Sequence, residues 1–380
     1  MITRIEELIS EYSVRNKKSE DIPVYSVTND RGFCTGYFSK EVASKDKSTY
    51  KIVPRGYFAY NPSRINVGSV DWQNCEDRVI VSPLYVVFSI SEQLDQQYFL
   101  HYLKSDIMLN YIKEYATGSV RDNLKLSDLG KLSVNLRPLD EQRRIAAVLD
   151  KVSDLIAKRR QQLEKLDLLV KARFTEMFCN PIENENWEFV NMADISTDMR
   201  TGPFGSALRH NEFVETGIFV LGIDNAVENR FTYNRMRYIT EEKYEQLKRY
   251  TVRPGDVIIT IMGTVGRSAV IPDNIPKAIN TKHLACLTIN RSKAQPMFVC
   301  CAFQMHPEIR QQLTGQAKGA IMDGLNLTII KKLSFKLPPL EIQNEFVKFF
   351  GATEKTKTII EESLMKLETI KKALMQEYFG

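Results

Sequence analysis

The sequence predicts an α+β protein in which two globular domains alternate with two long helices. Three features support this prediction: a segment that occurs twice, apolar residues at alternating spacings of three and four inside each copy, and short β-branched and aromatic runs elsewhere. Because each predicted helix has an apolar face that needs a partner, we expect the two helices to form an antiparallel coiled coil with a pseudo-twofold internal repeat.

The repeated segment runs from residue 118 to 178 and again from residue 319 to 379, an offset of 319 − 118 = 201 positions without a gap. Eighteen of the 61 aligned pairs are identical, and they include the Pro-Leu-x-x-Gln sequences that begin at Pro138 and Pro339. Two unrelated helices can share a heptad pattern, but they do not also share glycine, proline and the preceding strand. The sequence therefore contains an internal duplication.

The two globular domains are predicted over residues 1–137 and 188–336. Runs such as "DRVIVSPLYVVFSI" and "GDVIITIMG" favour strands, and "YFLHYLKSDIMLNYIKEY" favours a helix. The sequences "YKIVPRG" at Tyr50 and "YTVRPGD" at Tyr250 are interpreted as corresponding turns before a strand. Residues 181–187 are predicted to be a linker. Each globular domain is long enough to form its own core.

The helical regions are predicted over residues 138–180 and 337–380. Pro138 and Pro339 favour an extended preceding residue and the start of a helix. The acidic residues that follow them place negative charge at the positive end of the helix dipole. Both helix starts are therefore well defined by the sequence.

The apolar seam of the helices holds a spacing of three and four over five heptads. The chain passes through a whole globular domain between the two helices, so an antiparallel pair satisfies the connectivity. Basic residues at the seam positions Arg159, Lys357 and Lys371 indicate imperfect pairing or contact with other subunits. The predicted seam consists of Ile145, Leu149, Val152, Ile156, Leu163, Leu166, Val170, Phe346, Phe350, Ile360, Leu364, Leu367 and Leu374.

The composition is that of an ordinary globular protein with a small basic excess. Lys and Arg exceed Asp and Glu by 52 − 47 = 5 in 380 residues, which is compatible with nucleic-acid binding but does not require it. The six cysteines form no C-x-x-C pair, which favours a reducing compartment. The N-terminus lacks an apolar signal core and no apolar run approaches the roughly 20 residues of a membrane span, so we expect a cytoplasmic protein.

No catalytic motif is present in the sequence. It contains neither the Asn-Pro-Pro-aromatic run of adenine methyltransferases nor a G-x-x-x-x-G-K-[ST] phosphate loop. The four histidines are scattered, and their spacing indicates neither a metal site nor a catalytic triad. We therefore expect no catalytic residue, metal or cofactor in this chain, and a role in recognition instead of chemistry.

Several short motifs flank the predicted strands and helix starts. They are Pro138 to Gln142, Pro339 to Gln343, "YNPSRINVGSV" from Tyr60, "VSPLYVVF" from Val81, "TGPFGSAL" from Thr201, "RPGDVIIT" from Arg253 and "GTVG" from Gly263. In these motifs and in the order of its domains, the chain resembles the specificity (S) subunits of type I restriction-modification enzymes over essentially its whole length.

The resemblance implies a DNA-binding subunit that is not catalytic by itself. The two globular domains would be target-recognition domains that each read one half of an asymmetric, bipartite sequence, and the helix pair would fix the spacer. The partners implied are double-stranded DNA, two methyltransferase (modification) subunits and two restriction/translocase subunits, which together form a site-specific endonuclease and adenine-N6 methyltransferase. S-adenosylmethionine, ATP and Mg would be bound by those partner subunits.

Candidate DNA contacts are chosen by side-chain chemistry. Arg and Asn bind base edges with two hydrogen bonds, whereas Lys and Ser mostly contact phosphate. Each candidate is about as readily interpreted as an ordinary turn or surface residue. The candidates are Asn61, Ser63, Arg64 and Arg121 in the first domain and Ser206, Arg209, His210, Arg267 and Lys282 in the second.

Two other functions are compatible with the sequence. The chain could serve a modification-only or other defence methyltransferase complex, in which case a nuclease gene would be missing from its neighbourhood. It could instead be a coiled-coil adaptor that binds protein, in which case it would show no salt-dependent, sequence-selective binding of DNA.

Overall fold

The structure is a computed structural model that describes residues 1–36, 46–115, 123–180, 185–317 and 325–380. It divides into two compact units: unit 1 comprises Met1–Gln161 and Glu361–Gly380, and unit 2 comprises Gln162–Ile360. Both units contain helices and strands, which confirms the predicted α+β class.

Unit 1 contains ten of the described strands and three short helices, followed by the first part of a long helix. The strands are β1 (Ile2–Arg4), β2 (Ile9–Glu11), β3 (Ser26–Thr28), β4 (Gly32–Cys34), β5 (Lys51–Pro54), β6 (Phe58–Tyr60), β7 (Val70–Trp72), β8 (Arg78–Val81), β9 (Val86–Ile90) and β10 (Ser133–Asn135). The helices are α1 (Gln96–Leu103), α2 (Asp106–Tyr115), α3 (Leu126–Gly130) and α4 (Leu139–Phe178), whose last part, from Gln162, belongs to unit 2.

An antiparallel four-stranded sheet in the order β2-β9-β6-β7 forms the centre of unit 1. Successive residues of β6 point to opposite faces: Phe58 and Tyr60 pack in the same cluster as α1, and Ala59 packs with β5 and β8. All three residues of β6 are buried, which explains why this strand is apolar without alternation. Strand β1 pairs with β10, so the first and last strands of the unit lie together just before α4.

Unit 2 contains nine described strands. They are β11 (Phe189–Asn191), β12 (Ser196–Thr201), β13 (Ile218–Leu221), β14 (Tyr238–Ile239), β15 (Val257–Thr260), β16 (Ser268–Val270), β17 (Ala278–Asn280), β18 (Leu284–Ile289) and β19 (Ser334–Lys336). The helices are α5 (Glu241–Leu247), α6 (Pro296–Met305), α7 (Pro307–Ala317), α8 (Leu327–Lys332) and α9 (Leu340–Phe379), whose last part, from Glu361, belongs to unit 1. The 3-10 helices of the two units are Ile5–Glu7, Ile65–Val67, Gly205–Ala207, His210–Glu212, Ile223–Asn225 and Lys248–Tyr250.

The central sheets of the two units share one topology. The central sheet of unit 2 has the order β12-β18-β15-β16, which corresponds strand by strand to β2-β9-β6-β7, and β11 pairs with β19 as β1 pairs with β10. The predicted pair of turns is also present, because Gly56 (φ 85°) and Gly255 (φ 82°) adopt the left-handed conformation just before β6 and β15. The remaining strands differ: unit 2 has a three-stranded sheet, β14-β13-β17, in which β13 and β17 are parallel, and unit 1 has the two-stranded sheets β3-β4 and β5-β8.

The two long helices, each of 40 residues, run antiparallel to each other within each unit. In unit 2, Arg173 pairs with Glu345 at 2.7 Å and Asp167 with Lys357 at 2.8 Å, so the numbers rise along one helix as they fall along the other. In unit 1, Arg160 of α4 pairs with Glu368 of α9 at 2.7 Å.

Every residue of the predicted seam is buried or half-buried. Lys357, a basic residue at a position of the apolar seam, forms ion pairs with Asp167 and Glu354. Among the described residues, neither these helices nor any other is long and apolar enough to cross a membrane.

The ends of the long helices also belong to the cores of the units. Ile145 and Leu149 of α4 lie in the cluster of unit 1 that contains α1. At the other end of α4, Phe174 contacts Phe298 and Phe346 with ring centroids 6.2 and 5.4 Å apart. A helix that shares its core with a domain is held to that domain by burial of apolar surface, at about 25 cal/mol per Å².

Candidate nucleic-acid interface

In unit 2, four strands end at the same edge. Thr260 at the end of β15 pairs with Leu284 at the start of β18, and Thr201 at the end of β12 pairs with Ala285. In the second sheet, the N–H of Thr281 donates to the carbonyl of Leu221, 3.1 Å away, so the ends of β13 and β17 also meet there. The loops after β12, β13, β15 and β17 therefore converge.

Close backbone packing joins the loops after β12 and β15 to the loop after β17. A Cβ at Gly202, just after β12, would collide with the backbone of Asn280 and Thr281. The N–H of Ile261 donates to the carbonyl of His283 at 2.9 Å, which joins the loop after β15 to the loop after β17. Gly202, the first glycine of the "TGPFGSAL" motif, is therefore required for the close approach of the loops after β12 and β17.

The converging loops carry basic side chains. Arg267 and Lys282 are exposed, and Arg237 lies directly before β14. Arg237 Nη1 lies against Gly222, directly after β13, and the end of β13 meets the start of the loop that carries Lys282 and His283. Burial and the charges of Lys282 and Arg237 lower the pKa of His283. Asp224 forms an ion pair with Arg237 and belongs to the same surface. We call Asp224, Arg237, Arg267, Lys282 and His283 loop surface 2.

Hydrogen bonds to Thr260 close the turn that presents Arg267. The N–H of Arg267 donates to Oγ1 of Thr260 at 2.9 Å, and the Thr260 hydroxyl donates to the carbonyl of Thr264. Gly263 (φ 73°) and Gly266 (φ 82°) supply the left-handed positions of the turn.

The other candidates of the second domain lie on the loop after β12. Arg209 and His210 are exposed, with the His210 ring 6.0 Å from the ring of Phe213, and Leu208 and Phe213 pack against the core formed by β13 and its neighbours. The backbone of Ser206 lies in the 3-10 helix Gly205–Ala207, and its side chain is outside the described part of the structure.

Unit 1 has a corresponding edge. The loop 61–69 joins β6 to β7, and the loop 82–85 joins β8 to β9, as their counterparts do in unit 2. These loops and the β3–β4 hairpin enclose a polar depression of about 250 Å³. It is lined by Ser26, Val27, Thr28, Asn29, Asn61, Arg64, Ser69 and Tyr85.

Three of the predicted contact residues of the first domain come together here. Oδ1 of Asn61 accepts from the N–H of Ser63 at 3.1 Å, and Oγ of Ser63 donates to Oδ1 of Asn123 at 2.7 Å. Arg64 is exposed at the rim of the depression. The fourth predicted residue, Arg121, lies outside the described residues. We call Asn29, Asn61, Ser63, Arg64 and Tyr85 loop surface 1.

Sequence reasoning missed Tyr85, Arg237 and His283. Tyr85 lines the depression, and burial raises the pKa of its hydroxyl, a group that can donate and accept hydrogen bonds. Tyr85 lies in the short loop between β8 and β9, and His283 lies in the corresponding loop between β17 and β18. Each is the last residue before the second strand of its pair. That shared position is the signal that would have identified them, since the strand ends of one sheet edge lie together.

A buried glutamine joins each domain to its long helix. Gln142 accepts from the N–H of Asp95 at 2.8 Å and donates to the carbonyls of Gln93 and Arg137 at 2.9 and 2.7 Å. Gln142 is the last residue of the Pro-Leu-x-x-Gln sequence in unit 1, so this sequence both starts the helix and holds it against the domain.

Gln343 makes the same contacts in unit 2. It accepts from the N–H of Gln295 at 2.9 Å and donates to the carbonyls of Lys293 and Pro338 at 3.2 and 2.8 Å. The repeated motif therefore has one structural role in both units, and this role orients each loop surface relative to the adjoining part of its helix.

The charged core of unit 2 is structural. Asp256, of the "RPGDVIIT" motif, is 1% exposed and pairs with Arg200 at 2.6 Å, which ties the start of β15 to β12. Asp256 also accepts from Thr288 of β18 at 2.7 Å. Among the residues that the structure describes, no group of three or more His, Cys, Asp and Glu side chains could hold a metal ion.

Comparison with known proteins gives consistent results. A model of the type I restriction modification DNA specificity domain matches residues 6–166 and 184–369. The chain is 21% identical over 377 residues to the type I restriction enzyme EcoBI specificity subunit of Escherichia coli, covering 90% of this chain and 78% of that protein. It is 19% identical over 299 residues to the MjaVIII specificity subunit of Methanocaldococcus jannaschii, covering 74% and 69%. The crystal structure of the type I restriction-modification system S subunit from M. genitalium has a TM-score of 0.65 at 15% identity and covers all of this chain (100%) and 96% of that one, which supports the fold.

Proposed function

The chain belongs to the type I restriction-modification DNA specificity family, and from this membership we propose that its two loop surfaces bind the two halves of a split DNA sequence. The proposal rests most directly on one observation: two units whose central sheets have the same topology place loops of different sequence at corresponding strand ends. A duplicated scaffold with two different loop surfaces suits a target made of two different parts.

The chemistry of the two loop surfaces supports different half-sites. Loop surface 1 offers the amides of Asn29 and Asn61, the hydroxyl of Tyr85 and one guanidinium, which are suited to the donor and acceptor edges of bases. Loop surface 2 has a more basic set, with Arg237, Arg267 and Lys282. The half-sites are therefore different in sequence, and the whole target is asymmetric.

The helices are proposed to set the spacer between the half-sites and to bind the partner subunits. Each helix has 40 residues, and at about 1.5 Å per residue it is roughly 60 Å long. Because Gln142 and Gln343 clamp the domains to the helix starts, a change in the helices is transmitted to the domains. Recognition proteins that bind half-sites show the same dependence of spacing on protein geometry.

The complete enzyme is proposed to contain this chain, two methyltransferase subunits and two restriction/translocase subunits. The methyltransferase subunits bind S-adenosylmethionine, and the restriction subunits bind ATP and Mg. This chain supplies the specificity of an adenine-N6 methyltransferase and site-specific endonuclease. Its own contribution is to select the DNA and to hold the partners, without a catalytic residue.

Selection from a random DNA library tests this function. The full chain, purified from its host with its natural partners, is expected to enrich one sequence of two defined parts separated by a constant number of unspecified bases. Binding should weaken with added salt, because basic residues displace counterions from phosphates. Enrichment of no sequence would refute DNA recognition and favour a protein-binding adaptor. If the purified complex methylates the selected sequence but does not cleave DNA, it is a modification-only complex.

A further inference from the structure

We propose that Arg237 determines specificity in the second half-site by binding a guanine, and that Asp224 positions its guanidinium. This inference rests on the function proposed above and names a residue that performs it. Arginine is suited to this role because its planar guanidinium can donate two hydrogen bonds to O6 and N7 of guanine in the major groove.

Arg237 is held in one place by its surroundings. Its Nη2 donates to Oδ2 of Asp224 at 2.5 Å, and its side chain is 25% exposed, against 64% for Arg143 in an exposed pair on the long helix. Its carbonyl accepts from the N–H of Val220 at 2.9 Å, which fixes the backbone beside β13. The side chain is therefore ordered and still partly open to a ligand.

Glycine makes room for this arrangement. A Cβ at Gly222 would collide with Nη1 of Arg237. Gly222 directly follows β13, at the point where the ends of β13 and β17 meet. The guanidinium therefore lies at the edge where the loops of unit 2 converge.

The carboxylate partner is also held in place. Asp224 lies in the 3-10 helix Ile223–Asn225, and its carbonyl accepts from the hydroxyl of Thr232 at 3.0 Å. The fully buried side chain of Asn225 closes the same loop, accepting from the N–H of Gly222 at 2.8 Å and donating to the carbonyl of Thr232 at 2.8 Å. A partner fixed in this way reduces the side-chain entropy that Arg237 loses when it binds.

The net charge of the surface remains favourable for DNA. Asp224 brings one negative charge, while Arg237, Arg267 and Lys282 bring three positive charges to loop surface 2. Arginine has five N–H donors, so a carboxylate that engages one of them leaves others for a base. The ion pair with Asp224 is therefore compatible with DNA binding, and it sets the orientation in which the Arg237 guanidinium meets the base.

Base-by-base binding measurements test this inference. The full chain with its natural partners is titrated with duplexes in which each base pair of the selected target is replaced in turn. R237A is expected to reduce discrimination at one G·C pair of one half-site by roughly ten- to hundredfold, while discrimination in the other half-site is unchanged. R237K keeps the charge without the planar fork, and it should recover affinity but not discrimination.

R291A is the matched control. Arg291 is an exposed arginine of the same unit, and it lies beside Gly255 at the opposite end of β15 and β18. Removing its charge is expected to leave discrimination at every base pair unchanged. If R237A and R291A have the same effect at every base pair, the inference is wrong even though the chain selects DNA.

D224N separates a positioning role from simple electrostatics. If Asp224 positions Arg237, D224N relaxes discrimination at the same base pair as R237A, and the double variant is no worse than R237A alone. If Asp224 only adds negative charge, D224N tightens binding to all sequences uniformly, and its positioning role is refuted. A wild-type chain that selects no DNA sequence would instead contradict the proposed function itself.

Discussion

At the start of each long helix, one buried glutamine side chain makes three hydrogen bonds to the backbone that precedes it. The duplicated Pro-Leu-x-x-Gln sequence was interpreted from the sequence as a helix start followed by an apolar seam. The structure adds that Gln142 and Gln343 reach back into the domains, to residues 93–95 and 293–295. That contact was invisible in the sequence because it joins segments about 50 residues apart.

Replacing either glutamine is expected to destabilise the chain. Gln142→Ala and Gln343→Ala would each leave a buried N–H and two carbonyls without their partner, at a cost of about 1–3 kcal/mol for a buried unsatisfied group. Thermal unfolding of the full chain measures the effect. Gln161→Ala, at an exposed position of α4, is the control and should change stability by less than about 0.5 kcal/mol. Equal effects at all three positions would show that the hydrogen bonds of Gln142 and Gln343 do not stabilise the contact between domain and helix.

A buried histidine makes the stability of unit 2 depend on pH. His306 is 4% exposed, near the rings of Phe174 and Phe335, and burial lowers its pKa to about 4. The unfolded chain binds a proton at about pH 6.5, so the neutral ring stabilises the fold above that pH and the stability is lost as pH falls toward 4. The difference in pKa corresponds to at most about 3 kcal/mol.

His306→Phe is expected to reduce this pH dependence. The phenyl ring keeps the apolar contacts and has no proton to gain, so the loss of stability between pH 7 and pH 4.5 should be smaller than in the unchanged chain. Urea unfolding at the two pH values gives the comparison, with His210→Asn as a control at an exposed histidine. An unchanged pH dependence in His306→Phe would show that other groups cause it.

At the scale of elements, the helix pair was largely predictable and the loop surfaces were not. The seam follows from local periodicity, which needs no knowledge of the fold. The heptad pattern nevertheless overlooked Phe174 and Phe178, because the end of α4 packs against a domain as well as a helix and so buries a wider face.

The loop surfaces depend on pairing between distant strands. Asn61, Ser63 and Arg64 could be grouped from the sequence because they lie in one loop. Arg237 and His283 could not, because they approach each other only through the pairing of β13 with β14 and β17.

Lengthening both helices tests their role in spacing. Seven residues inserted in each helix at facing positions, after Gln161 and after Met365, preserve the heptad pattern and add about 10 Å, or roughly three base pairs. The selected target should then have a spacer about three base pairs longer, or binding should be lost. A seven-residue insertion in the predicted linker 181–187 is the control and should leave the spacer unchanged. An unchanged spacer in the helix variant would show that the helices do not set the distance between the half-sites.

At the scale of the whole molecule, the shared topology predicts that the two units act as independent modules. Replacing residues 1–137 with the corresponding domain of a relative should change one half of the selected target and leave the other half and the spacer as they were. DNA selection on the chimera provides the measurement. A change in both halves together would contradict the modular assignment, including its predicted boundaries.

The pattern of DNA methylation in the host tests the central claim most directly. Methylated bases are mapped across the genome in cells with and without this gene. We predict that one asymmetric sequence of two parts, separated by a fixed run of unspecified bases, carries N6-methyladenine only when the gene is present. Methylation that is unchanged by deletion of the gene, or that follows a single continuous sequence, would contradict the account.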